Sequence, residues 1–225
     1  MVEPPTDGPR TSRSRVHRQP DLAAYDRKTV HGILDAGVVG HLAVVDEGGQ
    51  PFALPLGYAR DGDSVLLHGS TASRVFRLAA TGAPVCLTVT LFDGIVFARS
   101  VFNSSINYRS VVVLGAATPV PEKEKTEALR VLSERLAPGH WEAVRQPSAQ
   151  ELRATSVLRL PLDEASAKVS AGPPEDDPAD LALDVWAGVV PVEQLWGKPE
   201  SAPGLAPGRP VPAYVQAWRP ELRPG

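Results

Sequence analysis

Short β-rich segments separated by turn signals fill the middle of this 225-residue chain. The runs Val39 to Val45 and Phe52 to Ala59 are joined by an Asp-Glu-Gly-Gly sequence, and Asp61-Gly62-Asp63 leads into a third run. Glycine-containing turns between β-branched segments are typical of antiparallel hairpins. The pattern predicts a mainly β fold with six or more strands, and a small barrel with peripheral α-helices suits such strands best.

Further strands are predicted on either side of an Asp93-Gly94 turn, after Arg109 and over residues 157–162. Helix signals are clearest in the second half, where proline and acidic residues begin one helix and Ser148 with Glu151 forms a capping box. The predicted helices cover residues 26–36, 73–80, 121–136 and a short segment after Ser148.

The two ends of the chain differ from the middle. Residues 1–22 are rich in proline, arginine and serine, which predicts a disordered leader before a barrel domain over residues 23–172. Eleven of the 23 prolines fall at or beyond Pro173, so residues 173–225 should form an extended segment. That segment contains an apolar group that should pack on the barrel or on a partner subunit: Leu181, Leu183, Val185, Trp186, Val189 and Val190.

Composition excludes several functional classes. A net charge of −3 gives no general attraction to nucleic acid or to acidic membranes. The single Cys86 excludes an intramolecular disulfide and a multi-cysteine metal site, and five scattered histidines do not predict a metal centre. No apolar run is long enough for a signal peptide or a membrane span, so we expect a soluble cytoplasmic protein.

Two polar clusters are suited to binding an anion. In the first, Arg109 and Ser110 follow a polar run that begins at Asn103. In the second, a predicted strand ends at His68-Gly69-Ser70, and Arg74 lies at the start of a helix, where backbone N–H groups and a guanidinium favour phosphate. The second cluster also has an ordinary interpretation, in which Ser70 or Ser73 caps the helix and Arg74 is solvated. It does not have the spacing of a Walker or Rossmann phosphate loop.

Five segments, taken in order, resemble one known family. They are residues 37–43, 55–58, 68–70, 107–111 with Gly115, and 186–191, and the Asn-Tyr-Arg-Ser-Val sequence at 107–111 is the most specific. The chain resembles the FMN-binding split-barrel proteins related to pyridoxamine 5′-phosphate oxidase, within the branch that contains the nitroimidazole-resistance proteins. The likeness extends from about Tyr25 to Tyr214.

The resemblance implies a six-stranded split barrel that forms a homodimer, with FMN in grooves between the subunits. It places the 68–74 cluster at the FMN phosphate and residues 55–57 along the isoalloxazine ring. It also places Trp186 near that ring. Asn103 and Ser104 stand where relatives often carry histidines, so no catalytic residue is assigned. The implied cofactor-binding residues are Pro55, Leu56, Gly57, His68, Gly69, Ser70, Arg74, Tyr108, Arg109, Ser110, Val111 and Trp186.

Two functions are compatible with this family resemblance. The first is an FMN-dependent oxidoreductase, like a nitro-compound reductase, in which NAD(P)H supplies hydride and a small molecule is the substrate. The second is a binding protein without turnover that holds a flavin, a deazaflavin or haem, and His41 and His68 are then the candidate haem ligands. A true pyridoxamine phosphate oxidase ranks last, because no further basic cluster can hold a second phosphate.

Overall fold

One antiparallel sheet of ten strands forms the frame of residues 8–206 and 208–217, which are the residues that the computed structural model describes. In chain order the strands are β1 (Ala23–Ala24), β2 (Val39–Val45), β3 (Pro51–Asp61), β4 (Ser64–Ser70), β5 (Pro84–Phe97), β6 (Ser105–Ala116), β7 (Thr118–Pro119), β8 (Thr155–Pro161), β9 (Glu164–Ser170) and β10 (Gly188–Pro191).

The sheet curls into a split barrel. Its order is β1-β9-β6-β5-β2-β3-β4-β8-β7, with β10 paired along β5. Strands β8 and β9 follow each other in the chain but do not pair with each other, so the barrel is open between them. One core collects buried side chains from strands on both sides of the opening, including Leu42, Val113, Leu158 and Ala167. The predicted mainly β class is confirmed.

The described residues contain ten strands, so the six-stranded count implied by the resemblance is wrong, whereas the pattern itself predicted six or more. Three of the strands, β1, β7 and β10, have only two to four residues, too few for a period-two pattern to be recognised. Strand β9 was also missed. Its Ala-Ser-Ala sequence lacks the branched and aromatic residues that mark strands.

The predicted turn at Asp93-Gly94 is also wrong. Strand β5 runs through this point with a bulge, at which the pairing with β6 shifts between Phe92 and Gly94. The extra residue keeps Phe92 and Ile95 on the same, exposed side of the sheet. An Asp-Gly pair suits a bulge as well as a turn, and only the pairing partners decide between them.

The predicted helices are present. They are α1 (Arg27–Ala36), α2 (Arg74–Ala80), α3 (Glu122–Leu136) and α5 (Ala149–Ala154), and the capping box of Ser148 and Glu151 forms at the start of α5. Two helices of four residues, α4 (His140–Ala143) and α6 (Ala213–Gln216), are too short to be predicted from periodicity.

Helix α3 covers the outer face of the barrel. Its Ala128 and Leu132 pack on Leu66 of β4 and Val157 of β8 in a second core. Leu67, the next residue of β4, points the other way into the main core. Since side chains alternate along a strand, His68 lies on the α3 side.

Both ends contact the barrel within the described residues. Near the N-terminus, Arg10 forms an ion pair with Asp163 at 2.9 Å, and the predicted leader therefore has contacts over residues 8–22, while residues 1–7 lie outside the described part. Near the C-terminus, the almost fully buried Asp176 accepts hydrogen bonds from the backbone N–H and the guanidinium of Arg99, both at 2.6 Å. The domain boundaries stay predictions.

No helix in the described ranges has both the length and the apolar character needed to cross a membrane.

Tyr58 provides a test of how α1 is held on the barrel. Its buried hydroxyl donates a 2.7 Å hydrogen bond to the carbonyl of Leu34, in the last turn of α1, where carbonyls lack helical partners. We expect Tyr58→Phe to lower the free energy of unfolding by about 1–3 kcal/mol, because it leaves that carbonyl unpaired.

Urea denaturation followed by circular dichroism measures this effect. Tyr108→Phe is the matched control, because the Tyr108 hydroxyl has no hydrogen-bond partner among the described residues. Its expected change is below about 0.5 kcal/mol. Equal losses in the two variants would contradict the role of the Tyr58 hydroxyl.

Candidate functional site

A cavity of about 450 Å³ lies between His68 on β4, Thr155 on β8 and the helices α3 to α5. We call it the His68 cavity. Its volume is in the range of small-molecule sites. Leucines of α3 and the indole of α4 give it apolar walls: Leu129, Leu132, Leu136 and Trp141.

His68 is the polar group at the strand side of this cavity. Its Nδ1 is buried and has no hydrogen-bond partner among the described residues. Burial lowers the pKa of the imidazole, so the ring is neutral at neutral pH. A neutral imidazole offers one donor and one acceptor but no positive charge. The site therefore suits the uncharged, planar part of a ligand better than its phosphate.

Charges at the rim of the His68 cavity are already paired. Arg145 and Glu151 make two hydrogen bonds at 2.7 and 2.8 Å. The hydrogen bond from Arg145 lowers the pKa of Glu151 to about 2, so this carboxylate stays ionised. The pair adds no net charge to the cavity. Sequence reasoning missed both residues, since it identified Glu151 only as a cap.

Gly57 lies next to the His68 cavity and packs against Leu136 of its wall. The pairing of Tyr58 with Leu67 brings Gly57 beside His68 on the neighbouring strand. A Cβ at Gly57 would stand 3.3 Å from Leu136, so the absence of a side chain lets this leucine of the cavity wall pack closely on β3. Among the predicted residues, Gly57 and His68 are thus brought together.

The remaining residues of the 55–57 and 68–70 segments divide between the two faces. Pro55 is exposed opposite His41, whereas Leu56 packs against the main core. Gly69 is required by the core, since a Cβ there would lie 2.4 Å from the Phe76 ring. The Ser70 hydroxyl accepts a hydrogen bond from the backbone of the turn that leads into α2.

Arg74 keeps a free guanidinium. It begins α2, and its guanidinium carbon lies 4.8 Å from the centre of the Phe52 ring. No carboxylate in residues 8–206 or 208–217 pairs with it. This cation is therefore available for an anionic group.

Arg109 is engaged instead. Its Nε and Nη2 donate hydrogen bonds to the two carboxylate oxygens of Asp93, at 3.0 and 2.8 Å. This contact raises the pKa of Arg109, so the guanidinium stays charged, and the Asp93 carboxylate balances that charge. Because Asp93 is the bulge residue of β5, the pair fastens the bulge to β6. Because the sequence predicts a turn at Asp93, it does not predict the ion pair between Asp93 and Arg109.

The other predicted residues lie elsewhere on the barrel. Val111 is fully buried in the core, and strand alternation places Tyr108 and Ser110 on the face opposite to Arg109 and Val111. In sheet order, β6 is four positions from β4. Trp186 is 67% exposed, and its ring centre lies 5.8 Å from that of Phe97.

Residues 26–169 match the model of the pyridoxamine 5′-phosphate oxidase family. The chain belongs to this family. The family resemblance predicted from residues 107–111 and the four other segments is therefore confirmed. The split barrel is the fold that this chain shares with the family members described below. A comparison with curated proteins finds no match.

Two solved members of the pyridoxamine 5′-phosphate oxidase fold are similar over almost their whole length. The flavocytochrome Anf3 from Azotobacter vinelandii is 41% identical, with 94% of this chain and 99% of that chain covered and a TM-score of 0.89. The FAD and haem binding protein from Mycobacterium smegmatis is 38% identical, with coverages of 90% and 100% and a TM-score of 0.85.

A third structure shares the fold at much lower identity. The putative 5-nitroimidazole antibiotic resistance protein from Bacteroides thetaiotaomicron is 18% identical, covers 66% of this chain and 86% of its own, and has a TM-score of 0.56. At this identity the likeness shows a common fold alone.

The buried imidazole of His68 predicts a measurable pH dependence. Its folded-state pKa lies below the unfolded value of about 6.5, so as pH falls below about 6.5 the unfolded chain binds a proton that the folded protein does not. Stability is then lost, by at most about 1.4 kcal/mol per pH unit, until the folded-state pKa is reached.

We expect His68→Leu to remove this component. Denaturation curves at pH 7.5 and 5.5 should show a smaller loss of unfolding free energy in the variant than in the parent protein. Other groups titrate alike in both proteins, so the difference isolates His68. Identical losses would show that the imidazole is not desolvated in the folded state.

Proposed function

We propose that the protein is a redox protein that binds a flavin and a haem. The observation that carries this proposal is the pair of relatives, 41% and 38% identical over at least 90% of the chain, which are described as a flavocytochrome and as an FAD and haem binding protein. With Cys86 as its one cysteine, the chain lacks the two thiols of a c-type attachment, so the haem is held without covalent links.

The His68 cavity is the proposed flavin site. Its walls are apolar and its rim charges are paired. When bound, the flavin supplies electron transfer. His68 would exchange a hydrogen bond with a polar edge of the ring, while Leu136 and Trp141 would exclude water, and Arg74 is the free cation for a phosphate.

The finer cofactor assignment follows the relatives. FMN is the flavin that the sequence resemblance implies, whereas the relative at 38% identity is described as binding FAD. We propose a flavin nucleotide, with FMN and FAD as the two forms to be distinguished. NAD(P)H as electron donor and a small-molecule acceptor belong to the same proposal.

A homodimer is part of the proposal. Strands β5 and β6 expose apolar side chains on one face, and the loop between them carries Val101 and Phe102, which are 95% and 93% exposed. Exposed apolar groups of this kind mark contact surfaces. A second copy of the chain would cover the exposed residues Phe92, Ile95, Phe97, Ile106, Val101 and Phe102.

The absorption spectrum of the purified full-length protein tests the cofactor proposal. We expect flavin absorption and a haem Soret band together, and anaerobic addition of NADPH should reduce both groups. Chromatography of the acid-released flavin separates FMN from FAD. A protein that takes up neither group after incubation with FMN, FAD and haemin would overturn the proposal. Flavin without haem would support the simpler flavoprotein alternative.

The two arginines predicted for the phosphate should differ. Arg74→Ala removes a free guanidinium and should weaken flavin binding by about 1.5–3 kcal/mol, the value of a hydrogen bond to a charged group. Arg109→Ala should have a smaller effect on affinity, since Arg109 is paired with Asp93.

Fluorescence titration of the flavin-free protein measures both affinities. Arg77→Ala is the control, because Arg77 lies on the same helix with its side chain exposed. An Arg74→Ala protein that binds flavin as well as the Arg77→Ala protein would remove Arg74 from the site.

A further inference from the structure

The short helix α4 has no core of its own. None of its four residues is buried, and a single helical turn is not stable by itself in water. The helix nevertheless carries Trp141, whose side chain lines the His68 cavity. Contacts from outside α4 must therefore determine where this indole lies.

Glu134, in the last turn of α3, provides two of these contacts. Its Oε2 accepts a hydrogen bond from the backbone N–H of Gly139 at 2.7 Å, and its Oε1 accepts one from the backbone N–H of Trp141 at 3.1 Å. The first N–H groups of a helix have no partners within the helix, and a carboxylate close to them is stabilising. Glu134 therefore caps α4 from the neighbouring helix.

The connection between α3 and α4 makes this cap possible. Gly139 has a φ of +80°, a conformation that favours glycine. It turns the chain sharply after α3, so that the N–H groups of Gly139 and Trp141 both reach the carboxylate of Glu134.

Gln146 holds the other side of the Trp141 backbone. Its Nε2 donates a 2.7 Å hydrogen bond to the carbonyl of Trp141. The N–H and the C=O of one residue are thus both bound to side chains, one from α3 and one from the loop after α4. This double contact fixes the point from which the indole extends.

The same turn of α3 also forms part of the cavity wall. Ser133 and Leu136, on either side of Glu134 and Arg135, line the His68 cavity. Because Glu134 belongs to this turn, its hydrogen bonds hold Trp141 in a fixed relation to the opposite wall. The carboxylate itself is not among the groups that line the cavity.

We propose that Trp141 packs against the planar ring of the ligand in the His68 cavity, and that Glu134 and Gln146 are positioning residues that act through Trp141. This inference rests on the proposed flavin site. An indole is a large apolar plane, and aromatic rings pack favourably on one another. Residues that hold a binding group in place before the ligand arrives reduce the entropy lost on binding.

A double-mutant cycle on the full-length protein tests the coupling. FMN affinity is measured by fluorescence titration for Glu134→Ala, Trp141→Ala and the double variant. Each single change should weaken binding about 10-fold, the value of one lost hydrogen bond to a charged group or one lost aromatic contact. The double variant should bind no more weakly than Trp141→Ala alone, because Glu134 acts through the indole. Fully additive losses would overturn the inference.

Riboflavin, which has the same ring as FMN but no phosphate, shows at which end of the ligand these residues act. Glu134→Ala should weaken riboflavin and FMN binding by the same factor. Arg74→Ala, in contrast, should weaken FMN binding only. A Glu134→Ala loss that is confined to FMN would contradict a role at the ring.

Three further variants serve as controls. Glu134→Gln keeps one acceptor oxygen and should recover part of the affinity that Glu134→Ala loses. Glu127→Ala removes another carboxylate of α3, one that is exposed and paired with Arg130, and should leave the affinity unchanged. If Glu134→Ala does not fold, Gln146→Ala takes its place in the cycle, because the Gln146 side chain is exposed.

Amide hydrogen exchange of the flavin-free protein separates the outcomes. The Trp141 amide should exchange at least about 10-fold faster in Glu134→Ala than in Glu127→Ala, since only the first variant loses its acceptor. A parent protein that takes up no flavin would refute the proposed flavin site, and with it this inference. Flavin that binds the parent, Glu134→Ala and Gln146→Ala equally well would overturn this inference alone.

Discussion

Packing of helix α3 on the outer face of the barrel is the contact on which the candidate site depends. Leu132 covers Leu66 and Val157, and this second core fixes which face of β4 looks outward. The next outward residue, His68, therefore ends under the helix in an apolar cavity and not in solvent. The same burial lowers the pKa of the imidazole, and a neutral ring offers no positive charge to a phosphate.

Charge pairing decides which arginines remain available. Arg109 forms an ion pair with the bulge residue Asp93, and Arg145 forms one with Glu151. The positive charge of each arginine is therefore balanced by a carboxylate of the protein. Arg74 has no such partner in the described ranges, and its guanidinium lies over the Phe52 ring. A barrel with few charges near its cavities can hold planar, mostly apolar cofactors, and it needs a cation only for their anionic ends.

Helix α4 stands between the His68 cavity and the C-terminal segment. It has only four residues, yet Trp141 lines the cavity while the neighbouring His140 contacts Tyr214. Its position depends on α6 and on the C-terminal segment, whose Asp176 is anchored to Arg99. The irregular, proline-rich end of the chain is thus part of the architecture of the site, and its exposed apolar residues leave a surface for a second subunit.

The sequence by itself determined most of the long strands, the longer helices, the capping box at Ser148 and the segments that carry the family resemblance, because each depends on residues close together in the chain. Only the tertiary structure decided that Asp93 is a bulge residue paired with Arg109 and that His140 meets Tyr214. These facts depend on strand register and on contacts between distant residues, 74 positions apart for His140 and Tyr214. Local propensity and spacing contain no information about such contacts.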